Sequence, residues 1–252
     1  QQCFPLYYYE KFDEETPDML KPNQKPDKHG YIRRNAITDF ALEKFQTDYS
    51  DKKINKEDIF YYVYGVLHSP TYLAKYQNNL KKMLPRIPLC RDFWGFSKSG
   101  RELAKWHLNY ESIAPYPLKE EIKPSAPRKE KDLYRVTDSE MKWPKEKKVA
   151  DKTKIIFNEY VTLSEVPLEA YNYIVNGKSA LEWVMERYAI TVDLNAKGEG
   201  SGIKNDPNEW SDDPRYIVDL VKRVVRVSIE TNKIISALPT LDIIEEATEQ
   251  KT

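Results

Sequence analysis

Glycine is scarce: eight residues in a chain of 252. Turns that cradle a nucleotide need glycine wherever backbone must approach phosphate closely. Accordingly, the sequence has no glycine-rich loop followed by Lys-Ser/Thr, and no cofactor glycine loop after a strand. The Asn-Pro-Pro-Tyr-like signature of adenine methyltransferases is missing too. Cysteine is scarcer still. Cys3 and Cys90 lie far apart and match neither a metal nor a disulfide framework, which reads as two reduced thiols in a cytoplasmic protein. His29, His68 and His107 have no partners at metal-ligand spacing, so neither a metal nor a cofactor site is expected in this chain. No apolar run approaches the roughly 20 residues that a membrane span needs, and the first residues lack the basic-then-apolar order of a secretory signal. The chain opens on Gln1 rather than methionine, which reads as a boundary inside a longer protein. Charge of one sign is also lacking. Lys plus Arg equals Asp plus Glu, 40 against 40, which argues against a uniformly basic nucleic-acid binder. DNA affinity then requires charges segregated onto one face.

What is abundant is aromatic and charged surface: 12% aromatic, 32% charged and 40% hydrophobic residues suit a globular chain with a sizeable core. The pattern predicts an α+β fold, with a mostly helical N-terminal block, a small antiparallel sheet region with helices, and a long C-terminal helix. Residues 1–34 read as an extended lead-in from an upstream domain, with strand propensity in CFPLYYY and breaks at Pro17, Pro22 and Pro26. Residues 35–111 read as a helical docking block. Ile37, Phe40, Ala41 and Phe45 recur at helical spacing. Asn55 with Asp58 opens a second helix carrying Ile59, Tyr62, Val63 and Val66. Ser69-Pro70 ends it and opens a third, with Leu73, Tyr76 and Leu80 inward. Pro85-Arg86-Ile87-Pro88 is a stiff connector before a fourth helix between Asp92 and Tyr110.

Residues 112–238 change character. Prolines and lysines dominate the first part, and the stretch 118–154 carries twelve Lys/Arg against eight Asp/Glu. Strands are expected at Leu133–Val136, Met141–Trp143 and Lys154–Phe157, with Tyr160–Leu163 as a partner. Pro167–Val175 reads as a short helix stopped by Asn176-Gly177, and Ser179 with Glu182 as a capping box. Residues 194–212 form an exposed loop. Asp213 and Pro214 open the last helix, and Pro239 ends it before an acidic tail, 239–252.

One catalytic pattern needs weighing. Asp92 upstream of Glu121-Ile-Lys123 matches the acid–acid–x–Lys spacing of metal-dependent nucleases, whose chemistry needs both carboxylates on adjacent strands. Here one acid opens a helix and the other sits in a charged loop, so chance accounts for the match. Tyr7–Tyr9, Tyr61, Tyr62, Tyr64, Trp94, Trp106, Trp183 and Trp210 are residue types that stack on bases. Most fall at helical spacing and read as core, whereas Trp210, in a polar loop, suits either a partner contact or a loop anchor. For DNA, three groups collect the residue types that meet phosphates and base edges. They are Lys178 and Ser179 at a helix N-terminus; Lys204, Asn205, Asn208 and Trp210 in the long loop; and Lys152, Lys154, Asn158 and Tyr160 beside the strand patch. Solvated surface is the plain alternative for each lysine, and Asn158 equally suits a turn. Arg86 fits a phosphate, a neighbouring domain's carboxylate, or an ion pair that fixes the joint.

FYYVYGVLHSP (Phe60–Pro70), LPRIPL (Leu84–Leu89), FWGFSKSGRELAKWHLNYE (Phe93–Glu111), NGKSALEWVMERY (Asn176–Tyr188) and NDPNEW (Asn205–Trp210) occur in this order. With CFPLYYYE and VKRVVRVSIET they resemble the C-terminal part of type ISP restriction–modification enzymes over nearly the whole chain. Those enzymes are single polypeptides joining nuclease, ATPase motor, adenine methyltransferase and target-recognition domains. The resemblance implies a double-stranded DNA recognition module that docks on the upstream methyltransferase domain and has no catalytic centre of its own. It also implies that S-adenosylmethionine, ATP and magnesium serve the upstream domains. A protein-coupling module that never touches bases is the alternative.

Overall fold

The computed structural model describes residues 4–12, 25–194 and 198–244; Cys3, Pro17 and Pro22 lie outside them. The fold is α+β, with small antiparallel sheets, seven α-helices among the described residues and a long helix near the C-terminus. It divides into two compact units, 1–104 with 237–252, and 105–236.

In the first unit, β1 (Tyr7–Lys11) pairs antiparallel with β2 (Tyr31–Asn35), Tyr9 opposite Arg33. The stretch read as an extended lead-in, residues 1–34, therefore contains a strand pair. The partner strand YIRRN escapes a hydrophobic reading because Ile32 is its only buried residue. Helix α1 begins at Asp39, later than expected, because the Thr38 side chain accepts from the Ala41 N–H and sets the cap there. Helix α2 (Lys56–Leu67) opens on the anticipated Asn55/Asp58 pair, which forms a reciprocal capping box. Helix α3 (Pro70–Leu80) is capped by Ser69 with Pro70 in its first turn. Its fully buried residue is Tyr72; Tyr76 and Leu80 pack partly buried against the core as expected, and Leu73, expected inside, is exposed. Helix α4 (Phe93–Leu108) crosses α2 at backbone contact. A Cβ on Gly100 would lie 1.9 Å from the Tyr61 carbonyl oxygen, and one on Gly65 2.3 Å from that of Phe96.

The core of this unit joins Ile54, Ile59, Tyr62, Val66, Tyr72, Cys90, Phe93 and Phe96. Tyrosines hold the proline joint. The Tyr72 hydroxyl donates to the Arg86 carbonyl at 2.9 Å, and the Tyr62 hydroxyl to Pro88 at 2.6 Å while accepting from the Cys90 N–H at 2.8 Å. Two prolines cannot donate to a ladder, so side-chain hydroxyls satisfy the carbonyls instead. The Arg86 side chain is exposed and has no ion pair among the described residues, so tyrosines rather than a salt bridge fix the joint. Within the acidic tail, Ile243 bridges Cys90, and the Arg91 N–H donates to the Asp242 carbonyl at 2.9 Å.

In the second unit, β3 (Lys119–Ile122), β6 (Ile155–Ile156) and β7 (Val161–Ser164) form an antiparallel sheet in the order β3-β7-β6. The β6–β7 pairing matches expectation, but β3 does not. It occupies the stretch read as a charged loop, because charged residues Lys119, Glu120 and Glu121 can sit in a strand with only Glu120 partly buried. Leu133–Val136 is not a strand. A short helix, α5 (Glu130–Leu133), ends there, and Tyr134 and Val136 insert into the core from irregular backbone. Met141–Trp143 shrinks to a single bridge, Lys142 to Ile156. A hairpin of β4 (Lys145–Glu146) and β5 (Val149–Ala150) follows. The expected helix from Pro167 is a 3₁₀ turn, Leu168–Asn172, followed by a second hairpin, β8 (Ile174–Val175) with β9 (Lys178–Ser179). Asn176-Gly177 thus turns a hairpin rather than ending a helix, as positive φ at both residues, 50° and 87°, requires. Helix α6 (Ala180–Arg187), the pair β10 (Thr191–Val192) with β11 (Lys204–Asn205), and a 3₁₀ turn at Pro207–Glu209 lead to α7 (Tyr216–Ser236). Helix α7 starts two residues after Pro214, since the Asp213 carboxylate accepts from the Arg215 N–H and holds a turn there. Val218, Leu220, Val221 and Val225 of α7 join Ile155, Phe157, Val161 and Leu163 in one buried core.

Candidate nucleic-acid interface

Trp143 lines an open groove of about 860 Å³ in the second unit, together with Lys142, Lys145 and Lys178 and with Glu140, Glu182 and Glu186. The Trp143 indole N–H donates to the Tyr171 hydroxyl at 2.9 Å, which sets the ring edge-on to Tyr171. Lys152 lies over Trp143 with its ammonium 4.5 Å from the ring centroid, 5.1 Å from Tyr171 and 3.9 Å from the Glu182 carboxylate. Lys178 lies 5.2 Å over Trp183 and pairs with Glu186. Of the expected lysines, Lys178 lines the groove and Lys152 lies over the ring of its Trp143, each on an aromatic face and beside a carboxylate. Lys154 is half-buried nearby in sequence, and Tyr160 packs its ring against the core.

Ser179 departs from expectation. It caps α6 and is fully buried. Its N–H donates to the Glu182 carboxylate at 2.9 Å and its hydroxyl to the same oxygen at 2.6 Å, while Ser179 Oγ accepts from the Glu182 N–H. A carboxylate thus already fills the place where a phosphate would lie. Burial alone would raise the Glu182 pKa, but the Ser179 donors and the nearby Lys152 and Lys178 charges hold it below its ordinary value.

The second group is reorganised as well. Asp206, 5% exposed, accepts from Arg135 at 3.0 Å, Lys204 at 3.1 Å and the Asn208 side chain at 2.6 Å. Asn208 also closes a two-way clasp on Val136, accepting from its N–H at 2.9 Å and donating to its carbonyl at 3.0 Å. Asn158 clamps the same segment. Its amide donates to the Leu133 and Arg135 carbonyls at 2.7 and 3.0 Å, and its oxygen accepts from Tyr160 and Val161 N–H. With both amides consumed, Asn158 and Asn208 build the backbone rather than face a ligand. What they present is Arg135, missed in the sequence, on the lip of a cleft of about 450 Å³ with Lys131 and Tyr216. Two asparagines spaced across that segment are a weak signal, because their partners lie 25 and 72 residues away. Asn205 is exposed opposite Thr191, and Trp210, 51% exposed, meets Tyr188 edge-on at 5.3 Å.

The nuclease-like pattern dissolves. The Asp92 carboxylate accepts from the Gly95 N–H at 2.8 Å in the first unit, and Glu121 is on β3 in the second. Its neighbour Glu120 is the structural acid. It accepts from Lys222, from Arg215 at 2.6 Å and from Tyr134 at 2.6 Å.

Residues 1–220 match the model of the type ISP C-terminal specificity domain. The chain belongs to that family. Among solved structures it is similar to the ATP-dependent type ISP restriction–modification enzyme LlaBIII bound to DNA, at 34% identity and a TM-score of 0.74 over 95% of this chain. A nuclease-deletion mutant of the type ISP enzyme LlaGI in complex with a DNA substrate mimic matches at 38% identity and 0.66 over 84%. A DrdV–DNA complex matches at 35% and 0.70 over 86%. The chain spans 14%, 14% and 21% of those three chains. No curated protein matches it. No described helix of this type ISP specificity domain is long and apolar enough to cross a membrane.

Proposed function

We propose that this specificity domain reads double-stranded DNA on behalf of a larger restriction–modification polypeptide. Its contacts direct adenine methylation and ATP-driven translocation and cleavage carried out elsewhere in that polypeptide. S-adenosylmethionine, ATP and magnesium serve those other parts. The observation that carries the reading is the family membership, with three similar structures, each above 30% identity, that are DNA complexes. The Trp143 groove offers cations for such contacts: Lys142, Lys145 and Lys178 line it beside Glu140, Glu182 and Glu186, and Lys152 lies over the Trp143 ring. In this reading Lys152, Lys154 and Lys178 meet phosphates, and Lys204, Asn205 and Trp210 face base edges.

The first unit suits a different task. Phe4, Ile37, Val63, Leu67, Leu84 and Ile87 line an apolar groove of about 450 Å³. A polyanion has no use for such a surface. The helical block accordingly docks on the methyltransferase domain, with Arg86 at the contact, and that role also describes the competing reading of a coupling module without base readout. Gel shifts of the complete polypeptide on cognate and scrambled duplexes separate the two. Asn205→Ala is expected to narrow the difference between the duplexes. Lys178→Ala is expected to weaken both alike and to lower the salt exponent by about 1. Equal losses on both duplexes for both variants would reject base readout by the second unit.

A further inference from the structure

The β4–β5 hairpin turns on Lys147 and Lys148, both with positive φ, 47° and 72°. That backbone is the one a two-residue type I′ turn requires, and it favours Asn-Gly because a larger side chain crowds its own carbonyl there. The β8–β9 hairpin in the same unit follows the rule with Asn176-Gly177, at 50° and 87°. Two lysines in succession at such positions make the turn harder to form, and the fold gains nothing visible in return. Both are exposed, neither side chain has an ion pair among the described residues, and the strands they join are two residues long. Strain retained where packing does not demand it points to a function for the side chains.

The charge distribution points the same way. Residues 142–154 hold six lysines against Glu146 and Asp151, while 118–141 hold six basic and six acidic residues. The whole positive surplus of this region therefore sits on the hairpin and its two stems. Lys145 and Ala150, at the base of the hairpin, line the Trp143 groove together with Lys142 and Lys178. A two-stranded ribbon is narrow enough for the major groove of duplex DNA.

We propose that the β4–β5 hairpin is a DNA-contacting ribbon whose Lys147 and Lys148 engage backbone phosphates of the duplex. This rests on the DNA-reading function above and adds two contacts to it. The left-handed turn sets two ammonium groups in succession at the tip, where neither is neutralised by the protein.

The test replaces the tip by the turn's preferred residues, Lys147→Asn with Lys148→Gly, in the complete polypeptide. The melting temperature is expected to hold or rise, because the turn is relaxed. Two lost phosphate contacts, each with a salt exponent of about 0.9, predict roughly 60-fold weaker binding at 0.1 M salt, fading toward 1 M. The loss is expected to be the same on cognate and scrambled duplexes, with the salt exponent down by about 1.8. Lys147→Arg with Lys148→Arg retains the charge and is expected to bind as the unaltered protein does. An Asn-Gly variant with unaltered affinity and salt exponent overturns the ribbon while leaving the DNA-reading function standing. An Arg-Arg variant as weak as Asn-Gly overturns the electrostatic role. An unaltered polypeptide that binds neither duplex overturns both readings.

Discussion

Glu120 shows how one carboxylate ties a strand to a helix. Burial alone would raise its pKa, but hydrogen bonds from Lys222, Tyr134 and Arg215 overcome that and hold it at about 2, against an ordinary 4.5. Arg215 also stacks 4.4 Å over the Tyr134 ring, so two of the donors to Glu120 are oriented together. A folded-state pKa below the unfolded one contributes stability that is fully present above about 4.5 and is lost as pH falls toward 2. The contribution is about 3 kcal/mol. Glu120→Gln leaves Lys222, 8% exposed, without its counter-charge. The expected outcome is a loss of about 3 kcal/mol in denaturant unfolding at pH 7 that largely disappears near pH 2. A variant as stable as the unaltered protein at pH 7 would contradict the assignment. Nothing in the sequence marks Glu120 above Glu121, because one residue of register decides which carboxylate faces Lys222 and which faces water.

Among the elements, local chemistry predicted boundaries well where the signal was self-contained. Asn55/Asp58, Ser69-Pro70 and Ser179/Glu182 cap the helices they open, because a cap needs partners only three residues away. The small sheets were less legible. Strands of two residues carry no period, and β3 is held by pairing with β7 some forty residues later. Asn176-Gly177 illustrates the ambiguity, since the same dipeptide ends helices and turns hairpins. The candidate site was legible as residue types but not as roles. Lys178 lines the groove and Lys152 lies over its Trp143, whereas Ser179, Asn158 and Asn208 spend their polar atoms within the protein, on the Glu182 cap and on backbone. Gly100 belongs to this level too. Gly100→Ala forces α2 and α4 apart, since the added carbon meets backbone at 1.9 Å, and an expected loss of about 2–3 kcal/mol follows. Thermal unfolding checks it; an unchanged midpoint would mean that the helices do not cross so closely.

At the scale of the whole molecule, the two units differ in surface chemistry. One unit pins a proline joint with tyrosines and carries an apolar groove; the other gathers lysines around Trp143 and at a strained hairpin tip. Zero net charge is compatible with DNA reading because the surplus of one stretch is offset elsewhere, leaving local fields for phosphate contact and avoiding indiscriminate attraction. The most direct measurement of the central claim is a transplant. The chain replaces the corresponding segment of a related type ISP enzyme of different specificity, and the positions of methylated adenines are then mapped on genomic DNA. If this domain is the reader, methylation moves to the sequence recognised by the polypeptide from which the chain was taken. A hybrid that is active and still methylates the recipient's own sites would contradict the account.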